Sequence, residues 1–159
     1  LHDPLPISFD RKLCLLDFRY RRMRATVDKR IKVGLKAEFI EQDDEILWKA
    51  RKQLDEYLDG DRTCFDISIL MVGSDFQKHV WKALMQVPYG KTASYLDLAK
   101  TICNEKAVRA VAGANGANSI AIIIPCHRIV GSNGELVGYG GGIPVKKRLL
   151  KLEHENSFL

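Results

Sequence analysis

Hydrophobic positions along the chain change their spacing several times, and each change predicts an element. Leu13 to Tyr20 is apolar enough for a buried strand. Ile31, Val33 and Leu35 alternate with Lys32 and Lys36 around Gly34, which predicts a half-exposed strand. From Asp44 to Leu58 the spacing becomes helical: Ile46, Leu47, Ala50, Leu54, Tyr57 and Leu58 form one stripe. Asp43 or Asp44 can cap that helix and Gly60 can end it. Cys64 to Met71 returns to strand character. Residues 1–9 hold two prolines and no period, so they predict a loop or frayed end. Val72-Gly73 marks a boundary between two parts, 1–73 and 74–159.

The second part reads as short helices. Ser74-Asp75-Phe76-Gln77 is a capping box, and Val80, Trp81, Leu84 and Met85 point inward behind it until the turn Pro88-Tyr89-Gly90. Ser94 caps a second helix, with an acid at Asp97 and apolar Leu98, Ala99 and Ile102. After Cys103-Asn104-Glu105 a third helix runs from Lys106 to about Asn115, and two short helices across a tight turn form a helix-turn-helix pattern. That third helix is nearly bald: Ala107, Ala110, Ala112, Gly113 and Ala114 leave Arg109 and Lys106 as its long side chains. Such a helix suits close approach to a partner or equally close packing on another helix.

Ile120 to Val130 carries the chemistry. Five apolar residues run into Pro125, which predicts a buried extended segment stopped by the proline. Cys126, His127 and Arg128 follow directly, and either cation could favour a thiolate. An ordinary thiol is only about 3% ionised at pH 7, and a pKa near ~6 would raise the nucleophile about thirty-fold. The alternative at this cysteine is an inert buried thiol beside a salt-bridging pair. Beyond it, Gly131 to Gly142 holds six glycines and Tyr139, a loop able to lie against a flat ligand. Pro144 suits the first position of a final helix bearing Val145, Leu149, Leu150, Leu152 and Glu153.

Charge separates the two parts. Residues 1–73 carry 14 Lys/Arg and 14 Asp/Glu, whereas 74–159 carry 11 and 6, so the net +5 lies wholly in the second part. That asymmetry suits a polyanionic partner. The seven basic residues of Arg19 to Lys32 are balanced by acids in their own half and predict a solvated turn or exposed strand. Cys14, Cys64, Cys103 and Cys126 show no metal-binding spacing. No apolar run approaches the ~18 residues of a membrane span and no secretory leader is evident, so a cytoplasmic protein with reduced thiols is expected.

Taken together, Phe76 to Glu153 resembles the O6-alkylguanine-DNA alkyltransferases, also called methylated-DNA–protein-cysteine methyltransferases. The matching pieces are Phe76–Trp81, Gly90–Tyr95, Lys106–Val111, Asn118, Ile124-Pro125-Cys126-His127-Arg128-Ile129-Val130 and Gly138-Tyr139, about half of the chain. The resemblance implies an α/β, ribonuclease-H-like domain over 1–73 and a mainly α domain with a winged-helix-like helix-turn-helix over 74–159. It implies repair by direct reversal: the alkyl group of O6-alkylguanine, and of O4-alkylthymine, passes irreversibly to Cys126, once per molecule.

The same resemblance distributes roles. His127 would take the thiol proton through a water, Glu153 would orient the imidazole, and Tyr95 would help rotate the nucleotide and assist the leaving guanine. Arg109 would fill the space of the flipped nucleotide from the minor groove, with Ala110 and Ala114 letting the helix sit there and Lys106, Asn115 and Ser94 also at the DNA. Asn118 would be the hinge between that helix and the active-site turn. Tyr139, Gly140, Ile129 and Arg128 would complete the pocket; Gly140 and Asn115-Gly116 differ from residues frequent in the family. The implied partner is double-stranded DNA bound by a monomer, without cofactor, metal or membrane. Two other classes remain open on the residues alone: a helix-turn-helix regulator without chemistry, and a cysteine hydrolase that turns over an acyl substrate.

Overall fold

The chain opens with a β hairpin in a computed structural model that describes residues 4–158. β1 (Pro4–Phe9) pairs antiparallel with β2 (Lys12–Phe18), and Asp10 and Arg11 turn the corner with φ of 48° and 61°. Two central residues at positive φ give the turn whose twist matches that of the strands. The loop expected over residues 1–9 is therefore a strand from Pro4 onward, and residues 1–3 lie outside the described residues. Pro4 and Pro6 obscured it, yet an edge strand tolerates residues that cannot donate to a ladder. β2 is buried from Leu13 to Phe18 and forms the centre of the N-terminal part.

Two expected strands take other forms. Residues 31–35 belong to helix α1 (Arg24–Leu35): Val27 and Ile31, four apart, are buried, and Val33 is 67% exposed. Packing on β2 and Val72 selected the helical period over the alternating one, and a Cβ on Gly34 would stand 2.6 Å from Val72 Cγ1. Residues 64–71 form no strand, and among the described residues they pair with the hairpin by one bridge. There Leu13 donates to Ser68 and accepts from Leu70, at 2.9 and 2.8 Å, around a bridge to Ile69. Helix α2 (Glu45–Leu58) matches its stripe, with the Asp44 carboxylate accepting the Leu47 N–H at 2.8 Å.

In the second part α3 (Asp75–Leu84) and α4 (Tyr95–Thr101) each begin with a complete capping box, at Ser74/Gln77 and Ser94/Asp97. A 3₁₀ turn, Glu105–Ala107, leads into α5 (Val108–Gly116), which packs on both α3 and α4. The Trp81 indole N–H donates to the Ala114 carbonyl at 2.8 Å and locks α5 on α3. β3 (Ala93–Ser94) and β4 (Ile129–Val130) form a short parallel pair. Helix α6 (Ile143–Asn156) starts one residue before Pro144, which falls at its second position.

Residues 120–124 are buried as expected but are not a strand. Leu16 donates to the Ser119 carbonyl and accepts from the Ala121 N–H around a single bridge, Leu16–Ile120. The chain then folds back, with Ile122 at φ 72° and the Ile124 N–H reaching the Ile120 carbonyl at 3.0 Å. Positive φ is unfavourable for a β-branched residue, and burial of Ile120–Ile124 in the core compensates it. That core continues from Leu13, Leu16 and Tyr57 to Trp81, Leu84 and Leu149, so both sides of Val72-Gly73 share it. Among the described residues no helix is long and apolar enough to cross a membrane.

Candidate active site

Cys126 begins a 3₁₀ turn, Cys126–Arg128, placed by the fold-back of residues 120–124 and by β4 behind it. The side chain is only 7% exposed and lines a cleft of about 270 Å³. Asn118, just beyond α5, holds that turn. Its amide donates to the Ile124 carbonyl at 2.9 Å and to Cys126 Sγ at 3.2 Å, and its carbonyl oxygen accepts the Ile120 N–H at 3.0 Å. One side chain thus ties the end of α5 to the thiol. Tyr95, Tyr139 and Gly140 complete the cleft from the second part, and Phe18, Arg21 and Met23 wall it from the first. A larger groove of about 1030 Å³ beside β1 contains none of these second-part groups.

The expectation that His127 and Arg128 favour the Cys126 thiolate is not met. Both engage Glu153 of α6. His127 Nε2 lies 2.7 Å from Glu153 Oε1, and Arg128 donates through Nε and Nη2 at 2.9 and 2.8 Å. Arg128 also donates to the Val87 carbonyl at 2.7 Å, and the Gly90 N–H reaches Glu153 Oε2 at 3.2 Å. Burial alone would raise the Glu153 carboxyl, but hydrogen bonds from His127 and Arg128 outweigh it and hold the pKa at about 2. Burial lowers the pKa of His127 despite Glu153, so the ring is neutral at pH 7. With Nε2–H donated to an ionised carboxylate, buried Nδ1 is the unprotonated nitrogen and takes no bond from the described residues.

Burial also pushes the Cys126 thiol up, against the opposing pull of the Asn118 amide, Arg21 and Lys146. The resting group is therefore a thiol, and its ionisation has to be coupled to the reaction. Lys146 Nζ donates to the carbonyls of Ile129, Val137 and Gly138 at 2.5, 3.0 and 3.2 Å, which pins the glycine loop over β4. The Tyr95 hydroxyl donates to the Val137 carbonyl at 3.1 Å across the cleft. Tyr139 is packed edge-on against Phe18, and its buried hydroxyl has no hydrogen-bond partner among the described residues.

α5 presents Arg109, Ala110 and Gly113 to solvent outside the cleft and Gly116 at its rim, with open space around both glycines. Lys106 is exposed in the preceding 3₁₀ turn, and the Ser94 hydroxyl is occupied as the cap of α4. Ala114 and Asn115 face inward: Ala114 meets the core, and Asn115 lines the cleft rather than the outer face. Three site residues were not legible in the spacing. Tyr57 of α2 donates to Glu153 Oε1 at 2.6 Å, Arg21 lines the cleft, and Lys146 holds its roof. Tyr57 sits within an ordinary core stripe and Arg21 within a basic run, so neither stands out before folding.

Comparison with known proteins agrees with this arrangement. The family model for the 6-O-methylguanine DNA methyltransferase DNA-binding domain matches residues 75–155, which include every catalytic candidate. A methylated-DNA–protein-cysteine methyltransferase of Methanosarcina acetivorans is 48% identical over 112 residues, 70% of this chain and 72% of that protein. One from Mycobacterium tuberculosis is 54% identical over 101 residues, 64% of this chain and 61% of the relative. The M. tuberculosis OGT structure in complex with DNA covers 95% of this chain and 86% of its own, with TM-score 0.82 and 39% identity. The Pyrococcus kodakaraensis O6-methylguanine-DNA methyltransferase covers 91% and 88% at TM-score 0.64 and 28% identity, so the likeness includes the N-terminal part outside the matched family domain. A buried thiol, a histidine–glutamate pair and this agreement along the chain place the protein in the methylated-DNA–protein-cysteine methyltransferase family.

Proposed function

We propose that the protein repairs alkylated DNA by direct reversal, with Cys126 as the acceptor of the alkyl group from O6-alkylguanine and O4-alkylthymine. The observation that carries the assignment is the Cys126 thiol lining a base-sized cleft, with neutral His127 beside it held by ionised Glu153. Cys126 gives up its proton through a water to His127 Nδ1. Its sulfur then attacks the alkyl carbon, the carbon–O6 bond breaks, and the electron pair stays on guanine, which regains a proton. Burial keeps the thiol inert until a substrate fills the cleft. A thioether has no proton to lose and no good leaving group, so each molecule reacts once, without cofactor or metal.

The DNA surface we assign is the outer face of α5. Arg109 enters the duplex from the minor groove and occupies the space of the flipped nucleotide, whose extrusion costs a few kcal/mol. Ala110, Gly113 and Gly116 let the backbone come close, while Lys106 and the α4 end at Ser94 meet the phosphates. Ala114 and Asn115 act from inside, as packing and cleft wall. Tyr95, Tyr139, Gly140, Ile129 and Asn118 shape the base pocket, and Arg128 holds Glu153. This reading divides the chain into a ribonuclease-H-like domain, 1–73, and a winged-helix-like helix-turn-helix domain, 74–159, acting as a cytoplasmic monomer.

Intact-mass measurement after incubation with excess O6-methylguanine duplex tests the assignment. One methyl group per protein molecule is expected, retained on the Cys126 peptide through digestion, and none with Cys126→Ser. Continued turnover would instead indicate a hydrolase, and methylation of Cys14, Cys64 or Cys103 would overturn the choice of acceptor.

A further inference from the structure

The N-terminal part sends two charged and buried side chains, Asp17 and Arg21, into the cleft. Arg21 lies between β2 and α1 and is 8% exposed. Its guanidinium donates to the Asn118 carbonyl at 2.7 Å, to the Asp17 carboxylate at 3.0 Å, and to the Gly116 carbonyl. The two carbonyl partners, Gly116 and Asn118, are the end of α5 and the residue whose amide reaches Cys126 Sγ. A side chain at position 140 would crowd this arrangement, because a Cβ there would stand 3.0 Å from Arg21 Nε and 3.2 Å from Cδ.

A second arginine separates two roles that Arg21 could have. Arg30 of α1 donates to the Ala117 carbonyl at 2.7 Å and to the Val72 carbonyl at 3.1 Å. Both cations therefore cap the C-terminal carbonyls of α5, where positive charge is favourable. Arg21 lines the cleft of Cys126, and Arg30 is not among the residues that do. Capping of α5 accounts for Arg30 and leaves the placement of Arg21 unexplained.

We propose that Arg21 is a positioning residue for alkyl transfer: it holds the Asn118 hinge against the Cys126 turn and supplies positive charge to the cleft in which the thiolate forms. The inference rests on Cys126 being the acceptor. The charged and titratable groups around that thiol are Asp17, Arg21 and the exposed Arg22 from the first part, and Tyr95, Tyr139 and Lys146 from the second. Burial is the main force against ionisation, and Asp17 adds to it. The Asn118 amide, Arg21 and Lys146 act in favour, with Arg21 the stronger of the two cations. The Gly140 backbone, bare of a side chain, makes the room.

The test follows the pH dependence of two reactions of Cys126, methyl transfer from an O6-methylguanine duplex and alkylation by iodoacetamide. Arg21→Gln, Arg21→Lys and Arg30→Gln are compared with the unmodified protein, with urea unfolding of each. Arg21→Gln is expected to move the midpoint of both profiles up by about one pH unit and to slow transfer about ten-fold near neutrality. Arg21→Lys should restore most of the shift. Arg30→Gln should lose stability yet keep the original midpoint. An unmoved midpoint in Arg21→Gln, or an equal shift in Arg30→Gln, would overturn the role. If Arg21→Gln does not fold, Asp17→Asn/Arg21→Gln removes both buried charges together. A smaller upward shift is then expected, and an unmoved midpoint again refutes the proposal. Absence of transfer by the unmodified protein would refute the acceptor assignment itself.

Discussion

Glu153→Gln offers a sharp measurement, because one buried carboxylate holds three side chains from two separate elements, α2 and the Cys126–Arg128 turn. His127, Arg128 and Tyr57 all bond to it, and it has no exposed surface. Its pKa falls from 4.5 to about 2, which corresponds to roughly 3 kcal/mol of stability when the group is ionised. The sign follows from the direction: the folded-state pKa is depressed, so this contribution is complete above about pH 5 and disappears as pH falls towards 2. Glutamine matches the shape but removes the charge and leaves Arg128 buried without a counter-ion, a loss of about 3–5 kcal/mol at neutral pH. The gap in unfolding free energy between the two proteins should therefore narrow by about 2 kcal/mol between pH 7 and about pH 3. Groups common to both, such as Asp17, cancel in that difference. Urea titrations at several pH values measure it. A gap that stays constant with pH, or is below about 1 kcal/mol at pH 7, would show that Glu153 is not held as an ionised partner. Transfer should also slow by about 10²-fold or more, since His127 loses the acceptor that keeps Nδ1 free.

The other expectations concern residues on either side of the cleft. Arg109→Ala should slow transfer from duplex far more than transfer from free O6-alkylguanine base, because only the duplex requires extrusion; equal losses on both substrates would assign Arg109 a structural role. Duplex binding should weaken steeply with salt as the basic second part displaces counterions, and a flat dependence would argue against a DNA surface there. Tyr57→Phe should cost about 1–2 kcal/mol by deleting a hydrogen bond to a charged group, with slower transfer as Glu153 loosens. Unchanged urea stability of that variant would show that the hydroxyl contributes nothing.

Local signals were legible wherever the physics is local. Caps join residues three apart, so Asp44, Ser74 and Ser94 announced α2, α3 and α4 together with their starting points. The stripe of Leu47, Ala50, Leu54 and Tyr57 spans several helical turns and admits no other period. Short apolar alternations do not carry that information. Ile31, Val33 and Leu35 fit a strand until Val27 and Ile31 find β2, and Ile120–Ile124 fit a strand until only one position finds a partner on Leu16. Prolines likewise concealed β1, whose unbonded edge makes them harmless.

The sequence by itself marked the candidate nucleophile, the adjacent histidine, the glycine loop and the small-residue helix, because these depend on residue type and neighbouring positions. Only the tertiary structure decided how the site is charged. His127 and Arg128 adjoin Cys126 in sequence, yet they point to Glu153, 26 and 25 residues away. The groups that wire the site include Tyr57, 96 residues from Glu153, and Arg21, 97 residues from Asn118. The direction of the thiol pKa also depends on burial, which adjacency does not encode. Desolvation outweighs nearby positive charge inside a closed core, so the resting Cys126 is a protonated thiol.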